Sequence, residues 1–211
     1  HFGPHITAPA DNSRSQGRLM LDRRRFLITA TGFLSIAAAP SLRAETSSER
    51  ARLFAALKAA ETEREGRLAE SAIWQWWFDQ APTIDVHEAI DFGMKRRSSY
   101  DYEAAEEAFD KAIDLAPQYA EGWNQRAFVR FLRDNPDGAL SDLEKAVALE
   151  PDHFGAWSGM YHVLMRMGRT EVAVSALTRA VTIHPWIQER GLLPPDPDAK
   201  RPVVKGKQQE L

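Results

Sequence analysis

Apolar residues recur at helical spacing over most of the chain, and prolines cut the pattern into lengths of one helix pair each. Between residues 86 and 185 this periodicity predicts helices near 87–99, 102–115, 121–133, 137–150, 154–167 and 171–183. The second helix of each pair places alanines seven residues apart, at 105 and 112, 139 and 146, 173 and 180. That is nearly two turns, so each couple falls on one face and lets a neighbouring helix come close. The first helices carry a large residue with a small one four positions on, as in Trp123 with Ala127, or two small ones, as in Ala89 with Gly93. The third departs, setting Trp157 against the bulky Tyr161. Asn135-Pro136 has the form of an N-cap followed by a proline whose missing N–H costs nothing, and Gly168 suits a helix end before Thr170 caps the next. Upstream, Leu53, Phe54, Leu57 and Ala60 form one stripe and Leu68, Ala69, Ala72, Ile73, Trp76 and Trp77 another, stopped by Pro82.

The pattern repeats itself. Pro117, Pro151 and Pro185 lie 34 residues apart, each closing a similar phrase: Lys111 to Pro117, Lys145 to Pro151, Arg179 to Pro185. Phe109, Leu143 and Leu177 keep the same offset, as do Trp123 and Trp157, the aromatic positions expected to be structural. Period and residue types resemble the tetratricopeptide repeat, a helix–turn–helix unit. The resemblance implies an all-α fold, a helix–turn–helix solenoid of three repeats (86–117, 118–151 and 152–185). Residues 45–85 would add an N-terminal helical hairpin or degenerate repeat as a cap, because an open solenoid end exposes apolar surface. It also implies a concave groove lined by the first helices, and so names candidate peptide-binding positions: Ile90, Met94 and Arg97; Asn124, Phe128 and Phe131; Ser158, His162 and Met165. The Lys and Asn set of the chaperone-binding carboxylate clamp is not present among them. After Pro185 the chain is rich in proline, and 186–211 is expected to be a disordered tail beyond an anchor at Trp186.

The first 44 residues break the helical pattern. Residues 1–19 mix Pro, Gly, Ser and Asn without apolar periodicity and are set aside as a disordered upstream or added segment. From Met20 a short basic stretch leads into an uncharged run from Phe26 to Ala39, too short to span a membrane, and then into Pro40 to Ala44. Arg23-Arg24-Arg25-Phe26-Leu27 resembles the twin-arginine export signal, with Arg23 and Arg24 as the pair and Phe26 and Leu27 in the following apolar places. The resemblance implies a signal peptide over 20–44, cleavage after Ala44 and a periplasmic location in a bacterium. An anchoring helix and export by the Sec route stay open as alternatives.

Composition narrows the chemistry. A chain of 211 residues that is 44% hydrophobic and 27% charged, with no cysteine, has no disulfides, thiol catalysis or cysteine-ligated metal. A net charge of −3 supplies no general attraction to nucleic acid. No phosphate loop, dinucleotide glycine motif or nucleophile elbow is present, so no enzyme activity, cofactor or metal is expected. Trp74, Trp76, Trp77 and Phe78 are assigned to packing rather than to a ligand cage. Glu103, Glu106, Glu107 and Asp110 form an acidic cluster, expected to be a solvated face. Arg126 falls at an inward place where the repeat usually has an aliphatic residue, so it should be half-buried and paired with Glu106 or Asp110. The resulting expectation is a non-enzymatic module binding a partner peptide or helix in its groove. The alternative is an assembly subunit of a cell-envelope complex, docking through its convex face and Trp-rich hairpin.

Overall fold

The computed structural model of the chain describes residues 39–195, with side chains from Thr46 onward. The export-signal residues Arg23, Arg24, Phe26 and Leu27, and the segments 1–19 and 196–211, lie outside it. Helices are the only regular elements among the described residues: α1 (Ala39–Ala59), α2 (Glu63–Asp79), α3 (Ile84–Ser98), α4 (Tyr102–Leu115), α5 (Ala120–Leu132), α6 (Pro136–Leu149), α7 (Phe154–Arg166) and α8 (Thr170–Ile183). A short 3-10 turn at Gln188–Leu192 follows. None of these helices is long and apolar enough to cross a membrane. Helix α1 begins at Ala39 and runs through Ala44, ahead of the expected boundary; Pro40 falls in its first turn, where a proline costs no hydrogen bond.

The pairs α3–α4, α5–α6 and α7–α8 pack as antiparallel hairpins, with α3, α5 and α7 side by side. The six alanines spaced seven apart in the second helices are all buried. At Gly93 a Cβ would stand 2.5 Å from the Phe109 ring, which is why the first repeat keeps a glycine there. The third repeat needs no small residue, and Tyr161 is buried in the main core beside Met160 and Leu164.

Each hairpin turn is built alike. Tyr100, Asp134 and Gly168, spaced as the repeats are, hold φ of 61°, 62° and 73°. The next residue's N–H then reaches back to the helix it leaves, from Asp101 to Arg96 O at 3.0 Å, Asn135 to Arg130 O at 2.9 Å and Arg169 to Leu164 O at 2.9 Å. Asp101 and Asn135 go on to cap α4 and α6, accepting from Ala104 N at 3.3 Å and Gly138 N at 3.0 Å. The third repeat differs from expectation: Arg169 occupies the cap position, a guanidinium accepts nothing, and Thr170 is already inside α8. Tyr100 is 81% exposed and holds a left-handed backbone that costs a side chain about 1 kcal/mol. Tyr100→Gly should therefore raise the unfolding free energy measured in urea by up to that amount; an unchanged or lower value would refute the strain.

The recurrent prolines also acquire partners. Trp123 Nε1 donates to Pro117 O at 3.0 Å and Trp157 Nε1 to Pro151 O at 2.9 Å, so each tryptophan ties its helix to the turn before it.

Charged side chains join the first two repeats. Arg126, 12% exposed, donates from Nε and Nη2 to Asp142 at 2.9 and 2.7 Å and from Nη1 to Asp110 at 2.6 Å. Burial opposes its charge, but the hydrogen bonds and charges of Asp142 and Asp110 outweigh it and hold the guanidinium above its ordinary range. Arg130 shares Asp142, at 2.9 Å, and reaches Glu106 at 2.8 Å, which also takes Arg133 at 2.5 Å. The acidic cluster of α4 is thus only partly a solvated face. Glu103 and Glu107 point outward, whereas Glu106 and Asp110 meet the arginines of α5.

The N-terminal hairpin α1–α2 does not stack on α3 as a further repeat. It lies along the edge formed by the turns after α4, α6 and α8, where Tyr119, His153 and Ile187 recur at the repeat spacing and are all buried. Leu53, Phe54, Leu57, Ile73 and Trp77 join one core cluster with α6, α7 and α8. Close approach is bought by glycines: Gly66 takes Trp186, and Gly155 takes Trp74, each leaving no room for a Cβ. Trp186 Nε1 donates to Ala60 O at 3.1 Å, while Arg50 pairs with Glu150 and Asp152 at 2.6 and 2.8 Å. The aromatic residues expected as packing mostly are: Trp77 is buried, and Trp74, Trp76 and Phe78 pack against the core clusters.

Candidate functional site

Three first helices side by side leave a concave face, and the hairpin walls it. The result is a pocket of about 490 Å³. Its floor comes from Met94 and Arg97 of α3, Asn124, Phe128 and Phe131 of α5, and Ser158 and His162 of α7. Glu70, Trp74 and Phe78 of α2 form one wall, continued by Ile187 and Glu189 after α8.

Two of the positions named from the sequence fall elsewhere. Ile90 is buried, because Phe78 folds onto the core cluster to which it belongs. Met165 is 41% exposed and stands outside the pocket. The wall residues were not found from the sequence, since nothing local places a helix from ahead of the first repeat against α5 and α7. One available signal was the buried series Tyr119, His153 and Ile187, which marks the edge that the hairpin covers.

A buried hydrogen-bond chain fixes the floor. Glu121, 1% exposed, accepts from the Gln125 side-chain amide and, at 3.4 Å, from Asn124 Nδ2. Its other major partner is His153 Nε2 at 2.9 Å. His153 Nδ1 accepts the N–H of Ala156 at 3.1 Å to cap α7, which leaves the ring proton on Nε2, donated to Glu121. The same ring stacks on Trp77 at 4.1 Å and 7°, linking the floor to the hairpin. At the other end of the chain Gln125 accepts a hydrogen bond from Arg97 Nη1, and the Arg97 guanidinium lies 4.8 Å over the Phe128 ring. Burial lowers the Arg97 pKa, an effect that the Glu121 charge partly opposes.

At the third-repeat side His162 Nε2 stands 3.8 Å from Glu189 Oε1. The interaction with His162, against the opposing effect of burial and with help from Ser158, keeps the Glu189 carboxyl below the usual range. Glu70 Oε2 lies 3.2 Å from His184 Nε2. Phe128, 49% exposed, and the half-buried Phe131 present the apolar part of the surface.

Stacked helix–turn–helix units with their first helices lining one face define a class, the tetratricopeptide-repeat solenoid. Part of the chain is similar to known proteins of that class. The tetratricopeptide-repeat family matches at residues 99–119. The tetratricopeptide repeat protein 36 homolog of Nematostella vectensis is 37% identical over 62 residues, covering 28% of this chain and 34% of that protein. The chain thus spans about a third of the length of that curated relative. Among solved structures, the Arabidopsis OM64 TPR domain superposes with a TM-score of 0.50 at 16% identity, over 51% of this chain and 88% of that one. The first TPR of Spaghetti (RPAP3), bound to an HSP90 peptide, gives 0.49 at 23% identity, over 50% and 83%.

Proposed function

We propose that this protein is a protein-interaction module whose walled pocket takes a short segment of a partner protein. The observation that carries the reading is the pair Phe128 and Phe131, set in a concave site and half-covered, with polar Asn124, Ser158 and His162 beside them. An aromatic surface exposed in a preformed recess and edged with hydrogen-bonding groups suits peptide recognition. The test is selection from a displayed library of random segments on the full chain and on the Phe128→Ala/Phe131→Ala variant. Segments should be enriched whose affinity falls about tenfold or more in the variant, the loss expected of a truncated aromatic anchor. Equal retention on both proteins overturns the reading.

The second part of the proposal is export to a bacterial periplasm. It is supported by Arg23-Arg24 ahead of the uncharged run from Phe26 to Ala39. With Arg23 and Arg24 both changed to Lys, a fused reporter should stay in the cytoplasm; continued export argues against the twin-arginine route.

A further inference from the structure

Resting on the reading of the pocket as a segment-binding site, we infer that Arg97 pairs with a single acidic side chain of a short partner segment, which sets a bulky apolar side chain against Phe128 and Phe131. Of the charged side chains lining the pocket, Glu189 interacts with His162 and Ser158, and Glu70 stands 3.2 Å from His184 Nε2. Arg97 alone of that lining lies beyond ion-pair distance from every carboxylate of the described residues. Its hydrogen bond goes to the neutral Gln125 amide, whose orientation is locked because Gln125 donates to Glu121. Glu121 is in turn occupied by Asn124 and His153. One face of the guanidinium is covered by Phe128. The cation is therefore partly desolvated, held in place and without a carboxylate at ion-pair distance, a state that a ligand carboxylate relieves with a charge-assisted hydrogen bond.

The rest of the pocket restricts how many acids can bind. Glu70 and Glu189 stand at the third-repeat side and repel a second carboxylate, so an acidic run is excluded and one acid is favoured. Size restricts the length engaged. A helical turn about 10 Å across and 5.4 Å high fills roughly 400 Å³, so about 490 Å³ takes only a few residues. Position decides between a side chain and a chain terminus. Arg97, Phe131 and Met165 hold the same place in successive repeats, and no described helix stacks outside α3. A segment lying along that row can run on past Arg97, so the carboxylate is that of a side chain.

The experiment displays random nine-residue segments inside a carrier loop, without a free carboxyl terminus, and selects on the full-length protein. Selected segments should carry one Asp or Glu at a fixed distance from an aromatic or long aliphatic residue. Changing that acid to its amide, or Arg97→Gln, should each weaken binding about tenfold or more, and the two together no further. Selection on Arg97→Glu should replace the acid by Lys or Arg. Changing the segment's acid needs no protein variant, so the result does not depend on how Arg97→Gln folds. Segments that depend on Phe128 and Phe131 yet show no acid preference overturn the role of Arg97 and leave the groove reading standing. Binding only with a free carboxyl terminus overturns the side-chain assignment. Segments indifferent to Phe128 and Phe131 overturn the groove reading itself.

Discussion

Replacing Asp142 by alanine is expected to destabilise the fold by about 3–5 kcal/mol, the cost of stranding buried charge. Asp142 is 2% exposed and is the shared acceptor for Arg126 and Arg130, which are 12% and 22% exposed. Removing it leaves two guanidinium groups partly cut off from water. Arg126 would keep only Asp110, itself 46% exposed, and Arg130 only Glu106. The opposite replacement should behave differently. Arg126→Leu removes the cation, and Asp142 still has Arg130, while leucine restores the aliphatic side chain usual at that place. Its expected cost is smaller, about 1–2 kcal/mol, because the buried Asp142 loses hydrogen bonds but keeps a cation in Arg130. Urea denaturation of the two variants supplies the test. If Asp142→Ala loses no more than Arg126→Leu, the shared carboxylate is not what holds α4, α5 and α6 together.

Asp110 was legible as a partner of Arg126, and Asp142 was not, for a physical reason. Sequence spacing shows which residues share a helix face, but Asp142 lies on the next helix of its own hairpin, and its depth depends on how α5 and α6 pack. The repeats were legible because they are local: spacing at 34 residues, alanine couples and caps are all settled within one unit. The seat of the N-terminal hairpin was not. It rests on complementarity between distant residues, such as Trp186 reaching Ala60, 126 positions away, and Trp74 against Gly155. A Gly that receives a ring looks, in the sequence, like any other Gly. The floor of the pocket could be named from the repeat register, while its wall came from this unpredicted docking. Hence the groove implied by the repeats is a pocket bounded by the chain's own α2.

That dependence makes Trp77 the residue on which the wall stands, and Trp77→Ala should cost about 3–5 kcal/mol. The indole is 4% exposed and packs 4.1 Å from His153, 4.9 Å from Phe154 and 5.2 Å from Trp74. The polar ties that would remain are weaker. Arg50 to Glu150 and Asp152 is a pairing of partly exposed side chains, worth about 0–1 kcal/mol. The hairpin should therefore open before the repeats do, since regions with few remaining apolar contacts unfold first. Limited proteolysis would then cut at residues 60–62 while the array from α3 onward persists, and segment binding would fall as Trp74 and Phe78 leave the pocket. Trp77→Phe separates packing from polarity. It keeps a ring against His153 and removes an indole N–H that finds no acceptor among the described residues, so its loss should be less than half as large. If Trp77→Ala instead unfolds hairpin and repeats in one step, with the 60–62 turn still protected, the hairpin is an integral part of the array rather than a wall docked onto it.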